Sequence, residues 1–173
     1  MTNEKVELGR HLFYDKRLSG NQTQACASCH QQDKAFSDGQ LVGIGSTGQA
    51  HTRNAMSLIN LAYVPVLTWA NPLQTRLNLQ ANVPLFGETP VELGLAGLEN
   101  TLLARLAADS KYVDLFNAAF AKDPPTISVP HLRDALECFQ RTMISGRSAY
   151  DKYINGIDSN AMSGRGEGRH GIF

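Results

Sequence analysis

The chain carries no excess of either charge. Lys and Arg total 16 and Asp and Glu total 16, so 173 residues hold a formal net charge of zero. That balance argues against nucleic acid or an anionic membrane as the main partner. No apolar run approaches the roughly 18 residues of a membrane helix, so no membrane span is expected. The amino-terminal stretch MTNEKVELGRHLF lacks the apolar centre of a secretory signal. Tryptophan occurs once and cysteine three times. What the chain does have is a 42% hydrophobic content, enough for a real core, in a length that suits one domain or a domain with an extension.

Two of the three cysteines stand in QACASCHQQDKAFSDG, as Cys26 and Cys29, with His30 directly behind them. A zinc site would need a second Cys or His pair, and Cys138 stands alone. A redox dithiol would need a strand before it, yet Gly20, Asn21, Gln22 and Thr23 are loop residues. The remaining chemistry, covalent haem c attachment, uses C-x-x-C-H as one unit. Thiols about one helical turn apart can each add to a haem vinyl group, and the next residue then sits beneath the ring. His30 is thereby the candidate proximal iron ligand. Since haem c is attached after export, the chain reads as a mature form with a periplasmic location.

Apolar spacing predicts an all-α, cytochrome c-like helical haem domain with long loops. Residues 4–14 form a first helix through Val6, Leu8, Leu12 and Phe13. A long loop with Gly39, Gly43, Gly45 and Gly48 follows the cysteine motif. Residues 54–63 and 73–82 are shorter helical candidates. Leu98, Leu102, Leu103 and Leu106 repeat at helical spacing, as do Tyr112, Phe116 and Phe120. Pro124–Pro125 breaks the chain, and Ser128 caps a helix whose Leu132, Ala135, Leu136, Phe139 and Met143 share a face. Tyr150, Tyr153 and Ile154 end one more short helix, and Cys138 reads as a free buried cysteine. The heptapeptide Glu7–Phe13, ELGRHLF, is nearly repeated by Glu167–Phe173, EGRHGIF. Gly156, Gly164 and Gly166 make the preceding stretch linker-like. The expected organisation is a haem domain over 1–155, then 156–173 as linker and the truncated start of a second cytochrome c domain.

The segments LGRHLFYDKRLSG, CASCH, FSDG, HTRNAMSLINLAYVPVLTWANP and PLFGETPVELGL occur in that order. Together they resemble the amino-terminal, peroxidatic domain of bacterial di-haem cytochrome c peroxidases and their MauG-like relatives. The resemblance implies one covalent haem c, held through Cys26 and Cys29 with His30 proximal. It also implies that Glu92, the acid of PVE, moves peroxide protons on the distal side, with Pro84 lining the same pocket. Asn54 matches a calcium ligand of the complete enzyme, and Trp69 matches a residue between its two haems. Hydrogen peroxide would be activated to a ferryl haem. Electrons would come from a second haem or from a small donor protein, a cytochrome c or a cupredoxin. MauG-like oxidation of residues on a protein substrate is an alternative, as is a mono-haem electron-transfer domain.

Two features depart from the pattern. Relatives that need reductive activation carry a distal histidine seven residues before the arginine of RNA, where this chain has Ser46. His51 is the nearby histidine and is expected to face solvent. The second haem motif is also missing. Glu92 has a structural alternative too. Thr89-Pro90-Val91-Glu92 reads as a capping box with Pro at the first helical position. Met56, Met143 and Met162 are conceivable sixth iron ligands, though core packing suits each better. If the cysteine motif carries haem c, denaturing mass spectrometry will find one haem bonded to the polypeptide. Loss of that haem to acid–acetone extraction would reject the thioether assignment.

Overall fold

A first helix, α1 (Asn3–Tyr14), starts where the Thr2 hydroxyl accepts a hydrogen bond from the Lys5 amide, with Glu4 in its first turn. It buries Leu8, Leu12 and Phe13 completely. The computed structural model describes residues 1–68 and 71–162. Trp69 and the second copy of the repeat, 167–173, lie outside the described residues. After α1 come α2 (Cys26–Cys29), α3 (Leu77–Gln80), α4 (Asn82–Phe86), α5 (Glu99–Ala107), α6 (Ser110–Phe120), α7 (Val129–Gln140) and α8 (Ala149–Ile154). Among the described residues the extended pairings are isolated bridges, such as Gln31 with Ser37 and Ile44 with Ala50. No helix among them is long and apolar enough to cross a membrane. The chain divides into two units, Met1–Met143, and a second beginning at Ile144 that contains α8.

The core of the first unit is built on the contact of α1 with α7 and α6. Gly9 makes the α1–α7 crossing possible: a β-carbon there would stand 1.9 Å from the Ala135 carbonyl oxygen. One turn further along, Phe13 meets Phe139 edge-on at a ring separation of 5.3 Å and Phe36 at 6.1 Å. Such pairs contribute about 0.5–1.5 kcal/mol beyond their buried area. Ser128 caps α7 through the His131 amide, as its spacing predicts, and Leu132, Ala135 and Leu136 are buried. Cys138 is free and buried.

Polar contacts then tie the other helices to the turn that precedes the cysteine motif. The Asp15 carboxylate accepts from the Arg17 guanidinium at 2.8 Å and from the Tyr112 hydroxyl at 2.7 Å, and Arg17 also reaches Asp109 at 2.9 Å. Burial disfavours charge on Asp15, but the Arg17 and Tyr112 hydrogen bonds outweigh it and hold the carboxyl below its usual range. From α5, the Arg105 guanidinium donates to the carbonyls of Ser19 and Gly20, both at 3.0 Å. The entry to α2 is thereby anchored from two helices.

Two expected helices differ from the structure. Over 54–63 only Leu61–Tyr63 is helical, as one 3-10 turn. Leu58 and Leu61 have helical spacing and are buried, but Asn60 takes a left-handed φ of 62° and its amide donates to the Met143 carbonyl. The Ser57 hydroxyl likewise bonds the distant Ala35 carbonyl. The backbone there is spent on tertiary partners rather than on a helix. The element expected at 73–82 begins only at Leu77 and continues through α4 to Phe86. The Leu73 and Gln74 amides are already engaged by Asn71 in a turn.

Gly9→Ala tests the α1–α7 crossing. In an ordinary helix that change stabilises by about 0.5–1 kcal/mol. Here the added carbon meets backbone, so destabilisation of about 1–3 kcal/mol is expected in urea unfolding.

Candidate functional site

Cys26 and Cys29 form the single turn α2, so the spacing read from the sequence is one helical turn in the fold. The Ser28 hydroxyl accepts from the Ala25 amide at 3.0 Å and fixes the start of that turn. His30 follows as its cap. Its Nδ1 lies 2.8 Å from the Phe36 carbonyl. A carbonyl only accepts, so Nδ1 carries the proton and Nε2 keeps the lone pair that a metal needs. Ala35 and Phe36 reach back to the histidine through left-handed φ values of 55° and 56°. Burial pushes the His30 imidazole toward its neutral form, against hydrogen bonding to the Phe36 and Met56 carbonyls.

These three side chains line a cavity of about 540 Å³, within the 300–1,000 Å³ of ordinary ligand sites. Its apolar wall includes Phe13 from α1, Leu136 from α7, Leu77 from α3 and Pro84 and Leu85 from α4. The donor set and the wall fit a covalently held haem: two thiols on one turn, an imidazole with its free nitrogen set by a second hydrogen bond, and a large apolar slot. They suit other thiol chemistry poorly. Burial pushes the Cys26 thiol up to about 12 and raises Cys29 as well, the opposite of the lowered pKa of an activated redox cysteine, and no third or fourth ligand completes a zinc site among the described residues. Among the described residues no group of three or more His, Cys, Asp or Glu side chains stands close enough to hold a metal by itself.

Glu92 faces the same cavity from the irregular segment between α4 and α5. It is not a helix cap. Glu88 pairs with Val91 in an isolated bridge and α5 begins only at Glu99, so the capping-box reading of Thr89–Glu92 does not hold. The segment is held by its backbone instead. The Leu93 amide donates to the Pro84 carbonyl at 2.9 Å, and the Gly20 amide to the Leu93 carbonyl at 2.7 Å. The Ser46 amide donates to the Glu92 carbonyl at 2.7 Å, and Gln49 Oε1 accepts from the Val91 amide at 2.9 Å. Gly45 permits this approach, since a β-carbon there would lie 1.9 Å from the Val91 oxygen. Burial pushes the Glu92 carboxyl above its usual range, and His51 pulls it back.

With this geometry the comparisons are unambiguous. The profile of the di-haem cytochrome c peroxidases matches residues 3–159. The chain belongs to that family. It is 34% identical to the methylamine utilization protein MauG of Methylophilus methylotrophus, over 94% of this chain and 46% of that protein. It is 33% identical to the cytochrome-c peroxidase IdrP1 of Denitromonas iodatirespirans, over 100% of this chain and 44% of that protein. A solved MauG-like protein associated with microbial copper homeostasis superposes with a TM-score of 0.89 at 45% identity, over 91% of this chain and 45% of that one. The chain therefore spans less than half the length of these relatives. Membership of the family implies haem c, and the all-α fold is that of its cytochrome c-like domains.

The remaining expected site residues are distributed around the cavity. Pro84 lines it, and Asn54 is exposed and also lines it. Trp69 lies outside the described residues. Met56 reaches the cavity while Met143 is buried in the core. His51 is the correction. Expected to face solvent, it lines the cavity, and its Nε2 is buried without a hydrogen-bond partner. Nothing in the HTRN segment signals this. It follows from the Gly43–Arg53 loop folding back on itself, with the His51 amide on the Gly43 carbonyl at 2.9 Å and the Gly43 amide on the Arg53 carbonyl at 3.2 Å.

The direction of the Glu92 shift has a measurable consequence. The folded chain holds this proton more tightly than the unfolded chain does. Stability is therefore lost as pH rises from the unfolded carboxyl value of about 4.3 to the raised folded one. Glu92→Gln removes that loss. Urea midpoints should show the variant gaining on the unsubstituted protein at pH 7 relative to pH 4.

Proposed function

We propose that this chain is the peroxide-activating haem c domain of a di-haem enzyme. The observation that carries the reading is the convergence of Cys26, Cys29, His30 and Glu92 on one apolar cavity. In this reading Cys26 and Cys29 bind haem through thioethers, and His30 Nε2 is the proximal ligand. Haem c bound there supplies the iron at which the peroxide O–O bond is cleaved. The chain's own residues make that cleavage productive. O–O heterolysis needs a proton moved from the inner to the outer peroxide oxygen, so that water can leave. Glu92 accepts the first proton on a carboxylate oxygen and returns it to the outer oxygen. The direction of its shift suits the task, because burial disfavours the charged carboxylate and so strengthens its hold on a proton. Pro84, Leu85 and Phe13 keep bulk water from the site and so keep the proton local.

The electrons come, in this proposal, from a second haem or a small donor protein, with Trp69 on the route between the haems. Oxidation of residues on a protein substrate, as in the MauG-like branch, would draw on the same oxidised site. Asn54 contributes to a calcium site completed by the second domain. We read residues 156–173 as the linker to that domain and its first residues. We also place the protein in the periplasm, where haem c proteins function after export.

The test is stopped-flow mixing of the haem-loaded chain with hydrogen peroxide. Glu92→Gln keeps the size of the side chain and removes the proton carrier. General acid–base assistance is worth about 100- to 10,000-fold, so the oxidised haem spectrum should form at least about tenfold more slowly, with the resting spectrum and helix content unchanged. An unchanged rate per haem would remove Glu92 from the reaction. A low-spin ferric spectrum and no peroxide reaction in the unsubstituted protein would point instead to an electron carrier.

A further inference from the structure

Among the polar side chains that line the cavity, His51 has no part in the mechanism above. His51 Nε2 is buried and has no hydrogen-bond partner. An orphaned buried nitrogen leaves its desolvation uncompensated, and such a group in a native site calls for an explanation. The ring is not loosely placed. Its backbone is pinned to Gly43 at 2.9 Å. Beside Gly43, His51 Nδ1 and the Asp38 Oδ2 each lie 3.9 Å from the position a β-carbon would occupy. Asp38 is buried, with its other carboxylate oxygen on the Gln40 amide at 2.9 Å. A residue that lines the cavity thus carries a buried nitrogen with no hydrogen-bond partner among the described residues.

The side of the cavity matters. Ser46, in the His51 loop, bonds the Glu92 backbone, and Gln49 bonds that of Val91. His51 therefore belongs to the Glu92 wall, while His30 is held by the Phe36 carbonyl. His51 also acts electrostatically on Glu92 itself.

We propose that His51 is a second catalytic residue of the distal wall, whose Nε2 hydrogen-bonds the small oxygen ligand that Glu92 deprotonates. This rests on the peroxidase reading of the cavity. Peroxide offers two oxygens. With Glu92 on the proton, His51 Nε2 is the group that orients the other oxygen, and the outer oxygen leaves as neutral water once it is protonated.

Fluoride reports such a contact without turnover, because it binds ferric haem as an anion that accepts hydrogen bonds. Fluoride titration of the haem-loaded chain should give an affinity that falls about tenfold or more in His51→Leu, the effect of losing one hydrogen bond to a charged acceptor. His51→Gln, which keeps a donor, should recover part of it. In the reduced protein the carbon monoxide stretching frequency should shift in His51→Leu and return toward the unsubstituted value in His51→Gln. Unchanged fluoride affinity and stretching frequency in His51→Leu overturn the proposal. If Glu92→Gln is then still slow with peroxide, the peroxidase reading stands without it. A ferric spectrum that is low-spin in the unsubstituted protein and high-spin in His51→Leu also overturns it, because His51 then occupies the iron itself. A low-spin spectrum in both overturns it together with the open-site reading.

Discussion

The close contact between Gly9 and the Ala135 carbonyl sets the position of everything that follows. Helices cross at 8–10 Å when side chains separate them. Here one of them presents bare backbone, so α1 and α7 seat deeply together. Phe13, one turn beyond Gly9, and Leu136, next to Ala135, are carried by that seating into the wall of the cavity. A cavity of this size survives in a close-packed protein only if rigid helices frame it, because a soft wall would collapse into it. The crossing supplies that frame on one side, and α3 and α4 supply it on the other.

Opposite the helical wall, the site is made of loops that hold their shape through backbone hydrogen bonds. Segments 43–53 and 84–95 exchange amide and carbonyl partners with each other and with Gly20. This arrangement suits chemistry. Backbone contacts fix where Glu92 and His51 start, and among the described residues His51 Nε2 has no hydrogen-bond partner. The Arg105 contacts to Ser19 and Gly20 extend the same lattice to the residues leading into α2. The thiol turn and the carboxylate wall are therefore positioned from a common base.

Electrostatics divides the cavity by function. Burial shifts both thiols upward, Cys26 to about 12. The imidazole of His30 is kept neutral, as a metal-binding nitrogen must be. Glu92 is pushed toward holding a proton, opposed by a neighbouring histidine. Desolvation drives all three shifts, and it acts in opposite directions on acids and bases. In the proposed reading, one apolar environment thus prepares both the haem ligands and the proton carrier.

Much of this was open to reading in the linear chain. The C-x-x-C-H spacing dictates a one-turn thiol pair, because helix geometry is local. The caps at Ser128 and the apolar faces of α1, α5, α6 and α7 were equally legible, since 3.6-residue periodicity needs only the chain itself. Where sequence reasoning failed, the deciding partners were distant. Leu58 and Leu61 carry helical spacing, but the Met143 carbonyl claims the Asn60 amide and the helix does not form. Thr89–Glu92 carries the letters of a capping box, yet Glu88 pairs with Val91 and no helix follows there. The residues themselves determined the helices, the haem attachment turn and the candidate ligands. Only tertiary structure decided that His51 turns inward beside Glu92, because loop hydrogen bonds between segments some forty residues apart in the chain, Gln49 to Val91 among them, leave no periodic trace in either one.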